Sequence, residues 1–187
     1  MKDIKTQKYK IIALIGESGS GKDTLLKELS KSKHIFNEII SYTTRSPREG
    51  ERDGVDYHFI SIEDFSHKVL NGEMLEATVF NGWGYGTAEE SLSTDKVNIG
   101  VFNPDGIYAL LDNPSVDLTV YYLRVSDKTR LIRQLQREEN PDVNEIIRRF
   151  QKDKKDFLNL DFDYKVLNNE NDVDLNISVK TILENLI

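Results

Sequence analysis

The chain has no cysteine, which excludes disulfide frameworks and thiolate-held zinc. Its three histidines, His34, His58 and His67, show no metal-binding spacing and no partner nucleophile, so a Ser/His/Asp hydrolase has no support here. No apolar run approaches the roughly 20 residues that a membrane-spanning helix needs. The opening MKDIKTQKYK is charged without an apolar stretch and does not read as a secretory signal. Positive charge is in the minority, 25 Lys and Arg against 32 Asp and Glu for a net charge of −7. That balance disfavours broad, non-specific contact with nucleic acid but leaves room for a local basic site that takes small anions. These absences point to a cytoplasmic enzyme with neither a nucleic-acid nor a membrane partner.

Proline is scarce, at four residues, and no repeat or low-complexity segment interrupts the chain. With 38% apolar and 30% charged residues over 187 positions, the chain can bury a core as one globular domain, and whole-chain disorder fails. Short apolar runs alternate with longer helical periods, the pattern of a doubly wound α/β sheet. Ile11 to Ile15 reads as a strand buried on both faces, and a helix starts near Lys22 with Leu25, Leu26 and Leu29 on one face. Residues 38 to 90 carry short strands, many turns and one helix, opened by a Ser61–Asp64 capping box and closed at Gly72. Asn81-Gly82 marks a turn. Val97 to Phe102 and Leu118 to Val125 read as core strands. Ser126 to Leu160 is mostly helical and broken near Asn140-Pro141. Tyr164 to Leu167 forms a last strand, and Leu175, Val179, Ile182, Leu183 and Leu186 give a final helix.

Gly16-Glu17-Ser18-Gly19-Ser20-Gly21-Lys22 lies between the first expected strand and the first expected helix. Glycines let successive backbone N–H groups curl round a phosphate, the helix N-terminus adds partial positive charge, and Lys22 reaches the outer phosphates. A bare GxxxxGK arises by chance in roughly one chain of this size in fifteen, but Gly19 and the strand–loop–helix setting sharpen the signal. ATP contacts are therefore expected at Gly16, Ser18, Gly19, Ser20, Gly21, Lys22, Asp23 and Thr24. After Gly-Lys, a Ser or Thr hydroxyl normally touches Mg²⁺. Here Asp23 stands in that place, either as a metal ligand or as a sign of altered chemistry.

A second constellation runs Ser41-Tyr42-Thr43-Thr44-Arg45-Ser46-Pro47-Arg48-Glu49-Gly50-Glu51, then Gly54-Val55-Asp56-Tyr57-His58-Phe59. Two arginines three apart can grip one phosphate, and a tyrosine hydroxyl can complete the cradle. A third runs from Leu75-Glu76-Ala77 through Asn81-Gly82-Trp83-Gly84-Tyr85-Gly86-Thr87. Together with the glycine loop and the Tyr164 to Asn168 segment, these strings resemble the guanylate kinases over nearly the whole chain. The resemblance implies a P-loop kinase fold, a parallel sheet flanked by helices. Residues 1–37, 92–125 and 160–187 would form the core, 38–91 the region that binds the nucleoside monophosphate, and 126–159 a helical lid.

It also implies ATP with Mg²⁺ as donor, GMP or dGMP as acceptor, and a monomer or homodimer. Arg45, Arg48, Tyr57 and Tyr85 would bind the acceptor phosphate, while Ser41, Glu76 and Thr87 would read guanine. Guanine offers N1–H and N2–H₂ to a carboxylate and O6 to a hydroxyl donor. Asn168 would join the ATP site. Arg137, Arg148 and Arg149, beside Arg133, would reach the transferring phosphates with Lys22, although Gln134 and Glu138 occupy two places where the family pattern has arginine. One departure is sharper. The family's Asp-x-Asp string at the end of a core strand aligns with Val101-Phe102-Asn103, so both aspartates are gone, and Asp23 offers itself as the replacement carboxylate. Ribose 1,5-bisphosphate phosphokinases pair a Gly-Lys-Asp loop with Asn at the place of Asn103, which makes them an alternative resemblance. A third reading is a guanylate-kinase-like binding module, although such modules have typically lost the phosphate loop kept here.

Overall fold

A computed structural model describes residues 8–47, 50–80, 82–137 and 139–186. The apolar run YKIIALI becomes β1 (Tyr9–Ile15), whose last five residues are all buried, as a strand covered on both faces requires. The glycine loop follows, and α1 (Lys22–Ser30) turns Leu25, Leu26 and Leu29 inward. Next come β2 (Phe36–Glu38), β3 (Tyr42–Thr43) and β4 (His58–Phe59). Ser61 caps α2 (Ile62–Leu70) by accepting the Asp64 N–H at 3.0 Å, and Gly72 takes the left-handed conformation just past its end. The hairpin β5 (Met74–Phe80) and β6 (Trp83–Ala88) turns through Gly82; Asn81 lies outside the described residues.

The chain then forms β7 (Val97–Val101), α3 (Pro104–Leu111), β8 (Val116–Arg124), α4 (Asp127–Leu135), α5 (Val143–Asp156), β9 (Lys165–Asn168) and α6 (Asp172–Glu184). Ser126 and Asp142 cap α4 and α5 through the N–H groups of Thr129 and Glu145. The break expected near Asn140-Pro141 therefore falls between two separately capped helices.

Five strands form one sheet in the order β2-β7-β1-β8-β9, with the β2–β7 and β8–β9 pairs parallel. A second sheet, in the order β4-β3-β6-β5, pairs β3 antiparallel with β6 and parallel with β4. This is the α/β parallel-sheet architecture that the alternating pattern predicts.

The chain divides into two compact units. The first comprises Met1–Ile12, Lys33–Gly100 and Asp105–Leu118 and contains the second sheet. There Tyr42, Phe65 and Ala88 form a buried cluster with Ile60, Met74 and Ala77 against it. The second comprises Ala13–Ser32, Val101–Pro104 and Thr119–Ile187 and contains the glycine loop, α4, α5 and α6. Leu25 and Leu29 of α1 and Ile182 of α6 are fully buried in that unit, where the two helices pack together.

Candidate active site

In the second unit, the loop after β1 is a backbone structure held from several sides. Gly19 has φ +82°, and a Cβ there would stand 2.6 Å from the carbonyl oxygen of Arg130, so the loop can lie against α4 only with glycine at this position. Asn169 Nδ2 donates to the Ser20 carbonyl at 2.7 Å. Arg133 donates to the carbonyls of Gly19 at 3.3 Å and Asn169 at 2.9 Å. Lys22 folds its ammonium onto its own loop, donating to Gly16 O at 2.7 Å and Glu17 O at 3.2 Å. Burial lowers the Lys22 pKa, while Asp23, Asp153 and Glu17 favour the charged form. Asp23 and Thr24 are exposed on the first turn of α1, so a carboxylate and a hydroxyl stand free to meet a hard cation. No cluster of three or more metal-ligating side chains occurs among the described residues.

In the first unit, the second sheet brings polar side chains together from neighbouring strands. Thr43 Oγ1 donates to Gly84 O at 3.0 Å and accepts the Arg45 N–H at 3.2 Å, which fixes the backbone where Arg45 leaves β3. The Arg45 guanidinium, only 6% exposed, lies over Tyr57 and Phe59 at 5.5 and 5.7 Å, and Tyr57 meets Tyr85 edge-on at 6.0 Å. Burial disfavours the Arg45 charge, but Glu51, with an oxygen 2.9 Å away, and Tyr85 outweigh it and raise its pKa.

On β5, Glu76 stands in register with Thr87 of β6. A Cβ on Gly86 would come within 2.8 Å of Glu76 O, so the close strand pairing needs glycine. Glu76 is buried, and desolvation pushes its pKa up to about 7, with Thr87 pulling the other way. Thr87 is fully buried, and its hydroxyl makes no hydrogen bond of normal geometry among the described residues, although it lies near enough to the Glu76 carboxylate to favour that group's charged form. A buried hydroxyl left without a partner is costly, and a ligand carrying a hydrogen-bonding edge would relieve it.

The sequence profile of guanylate kinase matches residues 8–186. The chain belongs to the guanylate kinase family. It is 34% identical over 162 residues to a guanylate kinase from Fusobacterium nucleatum, an alignment covering 83% of this chain and 85% of that one. It is also 38% identical over 121 residues to a guanylate kinase from Mesoplasma florum, covering 62% of this chain. Of that relative's length the chain spans about two fifths, 41%. The crystal structure of guanylate kinase from Anaplasma phagocytophilum superposes with a TM-score of 0.70 at 21% identity, covering 96% of this chain and 85% of that one. At that identity the likeness speaks for the fold.

Of the guanylate kinase pattern, the second sheet brings together Arg45, Tyr57 and Tyr85, and sets Glu76 opposite Thr87. Ser41, at the start of β3, accepts the His58 N–H through its carbonyl. Arg48 lies outside the described residues, as does Glu138. Asn168 is exposed at the end of β9, and it is its neighbour Asn169 that reaches the loop. Arg148 and Arg149 both pair with Glu145 of their own helix at 2.6 Å and hold its carboxyl down to about 2, Arg148 contributing most. Arg137 is exposed just past the end of α4. Val101 and Asn103, at the guanylate kinase Asp-x-Asp positions, are half-buried at the end of β7.

Two residues that the sequence reading did not single out stand against the loop. Arg130 of α4 is fully buried, and Asp153 of α5 is 3% exposed. In sequence both are ordinary members of charged, amphipathic helices. Only their burial distinguishes them.

Proposed function

We propose that this chain transfers the γ-phosphoryl group of ATP to the 5′-phosphate of GMP or dGMP, releasing ADP and the nucleoside diphosphate. The observation that carries the reading is the Glu76–Thr87 pair, a buried carboxylate opposite a buried hydroxyl that makes no hydrogen bond of normal geometry among the described residues. A guanine edge supplies what both lack, two N–H donors for the carboxylate and a carbonyl acceptor for the hydroxyl. Adenine carries the opposite pattern at those ring positions. A sugar bisphosphate needs no base reader, whereas this chain keeps Ser41, Glu76 and Thr87, which sets the ribose 1,5-bisphosphate alternative second. Lys22 and the glycine loop argue in the same way against a binding module that has lost its phosphate site.

In this reading residues 38–91 bind the acceptor, 126–159 form the lid, and 1–37, 92–125 and 160–187 are the core. Arg45, Arg48, Tyr57 and Tyr85 hold the acceptor phosphate, and Ser41 joins Glu76 and Thr87 at the base. Gly16, Ser18, Gly19, Ser20, Gly21, Lys22, Asp23, Thr24 and Asn168 serve ATP. Phosphoryl transfer asks little covalent chemistry of the protein, so positioning and charge neutralisation by Lys22, Arg137, Arg148 and Arg149 carry the rate. No general base is required, because the acceptor phosphate is already an anion.

Mg²⁺ is usually held by one or two carboxylates together with the substrate's phosphates. An exposed Asp23 carboxylate beside the Thr24 hydroxyl fits that donor set without a protein cage. Asp23 and Thr24 would hold the ion, which when bound neutralises charge on the phosphates. Asp23→Ala is expected to raise the Mg²⁺ concentration at half-maximal rate about tenfold and to lower turnover; an unchanged Mg²⁺ titration would remove Asp23 from the metal site. The reading also takes the chain to work in the cytoplasm, as a monomer or homodimer, without a nucleic-acid or membrane partner. Among the described residues no helix is long and apolar enough to cross a membrane.

The deciding test is ADP release from Mg-ATP with GMP, dGMP, AMP, UMP and ribose 1,5-bisphosphate as acceptors. Turnover confined to the guanine nucleotides is expected. Turnover with the sugar bisphosphate alone would make Asp23 and Asn103 the true signature, and silence with all five would favour a binding role.

A further inference from the structure

Asp153 and Arg130 are used differently from the other charged residues of α4 and α5. Asp153 Oδ2 accepts the backbone N–H of Ser18, inside the phosphate loop, at 2.6 Å. The same oxygen lies 3.9 Å from Arg130 Nη1, which is itself 3.6 Å from Glu17 Oε1. Arg130 Nη2 donates to Asp127 Oδ1 at 3.2 Å, and the guanidinium lies 4.8 Å from the centroid of the Phe150 ring. Glu17 is fixed on its other oxygen by the Tyr122 hydroxyl at 2.7 Å. One buried guanidinium therefore faces three carboxylates, and its Nε and Nη1 make no hydrogen bond among the described residues. That arrangement holds charges at set positions and leaves the guanidinium's donors incompletely used, which is poor design for stability alone.

We infer that Asp153 and Arg130 are positioning residues for the phosphates of ATP: Asp153 acts through the Ser18 amide, and Arg130 acts by holding Asp153 and Glu17. The inference rests on the kinase reading above. A glycine-rich loop loses much conformational freedom when it is fixed in one shape. Donors already aimed before the ligand arrives avoid that cost at the moment of binding. Three other side chains reach the loop backbone at carbonyls, Gln134 at Ser18, Arg133 at Gly19 and Asn169 at Ser20. Asp153 instead grips an amide, with the strength of a charge-assisted bond, and it ties α5 to the first turn of the loop. Without Arg130, one buried and one half-buried carboxylate beside the loop would repel the incoming phosphates.

The test is ATP affinity by titration calorimetry with no acceptor present, alongside the KM for GMP. D153A is expected to weaken ATP about tenfold and leave the KM for GMP within twofold, because the Ser18 amide loses its anchor while the acceptor pocket is untouched. D153N keeps an acceptor oxygen for that amide and should recover ATP binding to within threefold of the parent. R130K cannot span Glu17, Asp127 and Asp153 with one ammonium and should weaken ATP at least fivefold. If D153A does not fold, D153N and R130K carry the comparison. A residue that only supported folding would lower the active fraction and leave both constants unchanged.

Parent-like or tighter ATP binding in the folded D153A or R130K overturns the inference, and so does equal weakening toward ATP and GMP. A parent chain that binds ATP but phosphorylates no acceptor overturns the kinase reading and leaves the ATP titrations of D153A, D153N and R130K decisive for this inference. A parent that binds no ATP overturns both.

Discussion

Lys22→Met is expected to lower kcat by about 10²–10³-fold, the usual loss when one preorganised charge is removed from a charge-stabilised transition state. The ammonium is held within 2.7 Å of Gly16 O and 3.2 Å of Glu17 O, so it stands at the loop before any nucleotide arrives. Its surroundings are partly desolvated, which depresses its pKa, yet Asp23, Asp153 and Glu17 favour the charged form. Because the loop backbone is also held by Asn169, Arg133 and Asp153, the methionine variant should fold normally. Initial rates of ADP release at saturating ATP and GMP, with circular dichroism to check the fold, measure the effect. A loss of less than tenfold would show that Lys22 does not stabilise the transferring group.

Glu76→Gln should cut kcat/KM for GMP by at least about 10²-fold at pH 7.5, since two hydrogen bonds to a charged acceptor are worth about 1.5–3 kcal/mol each. Use of AMP should change less than threefold; an equal loss with both acceptors would show that Glu76 does not read the base. The pH dependence follows from the same burial. Desolvation raises the Glu76 pKa from 4.5 to about 7, so between those values the folded chain keeps a proton that the unfolded chain releases. Stability should therefore fall as pH rises from 4.5 to 7, by roughly 3 kcal/mol for this group, and denaturant titrations of Glu76→Gln should lack that component. Guanine donors select the carboxylate. GMP affinity should thus climb with pH, level off above about 7, and be accompanied below 7 by proton release visible in calorimetry across buffers of different ionisation enthalpy.

The contrast between Lys22 and Arg130 shows what kind of information a linear chain carries. Lys22 is legible because its role depends on near neighbours: a buried strand, glycines at fixed spacing and a helix start all lie within a few residues. Ser61 with Asp64 is legible for the same reason, since a cap bonds an N–H two or three residues on, and in the structure Ser126 and Asp142 cap α4 and α5 in the same local way. Arg130 and Asp153 are not. Each lies on a helix rich in charge, where hydropathy predicts solvent, and each is buried by groups more than 100 residues distant in the chain, Glu17 and the Ser18 amide. Arg148 and Arg149 show the converse, because their geometry is set by Glu145, three and four residues away on the same helix.

At the end of β9, Asn168 is exposed while its immediate neighbour Asn169 reaches Ser20. Segment-level pattern places a polar pair there, but which member turns toward the loop is set by how the chain leaves the strand. The Glu76–Thr87 pair is a third case. Resemblance names the two residues, whereas the 7% exposure of Glu76 and the buried hydroxyl of Thr87 arise only when β5 and β6 pair in register over Gly86.

By itself, then, the sequence determined the α/β order of elements, the phosphate loop and the family, because strand burial, helix capping and glycine spacing are short-range properties of the chain. Tertiary structure alone decided which charges are buried, which donors lack partners and which carboxylate grips the loop. Burial and charge pairing depend on distance in space, and a folded chain brings residues as remote as Ser18 and Asp153 within 2.6 Å of each other.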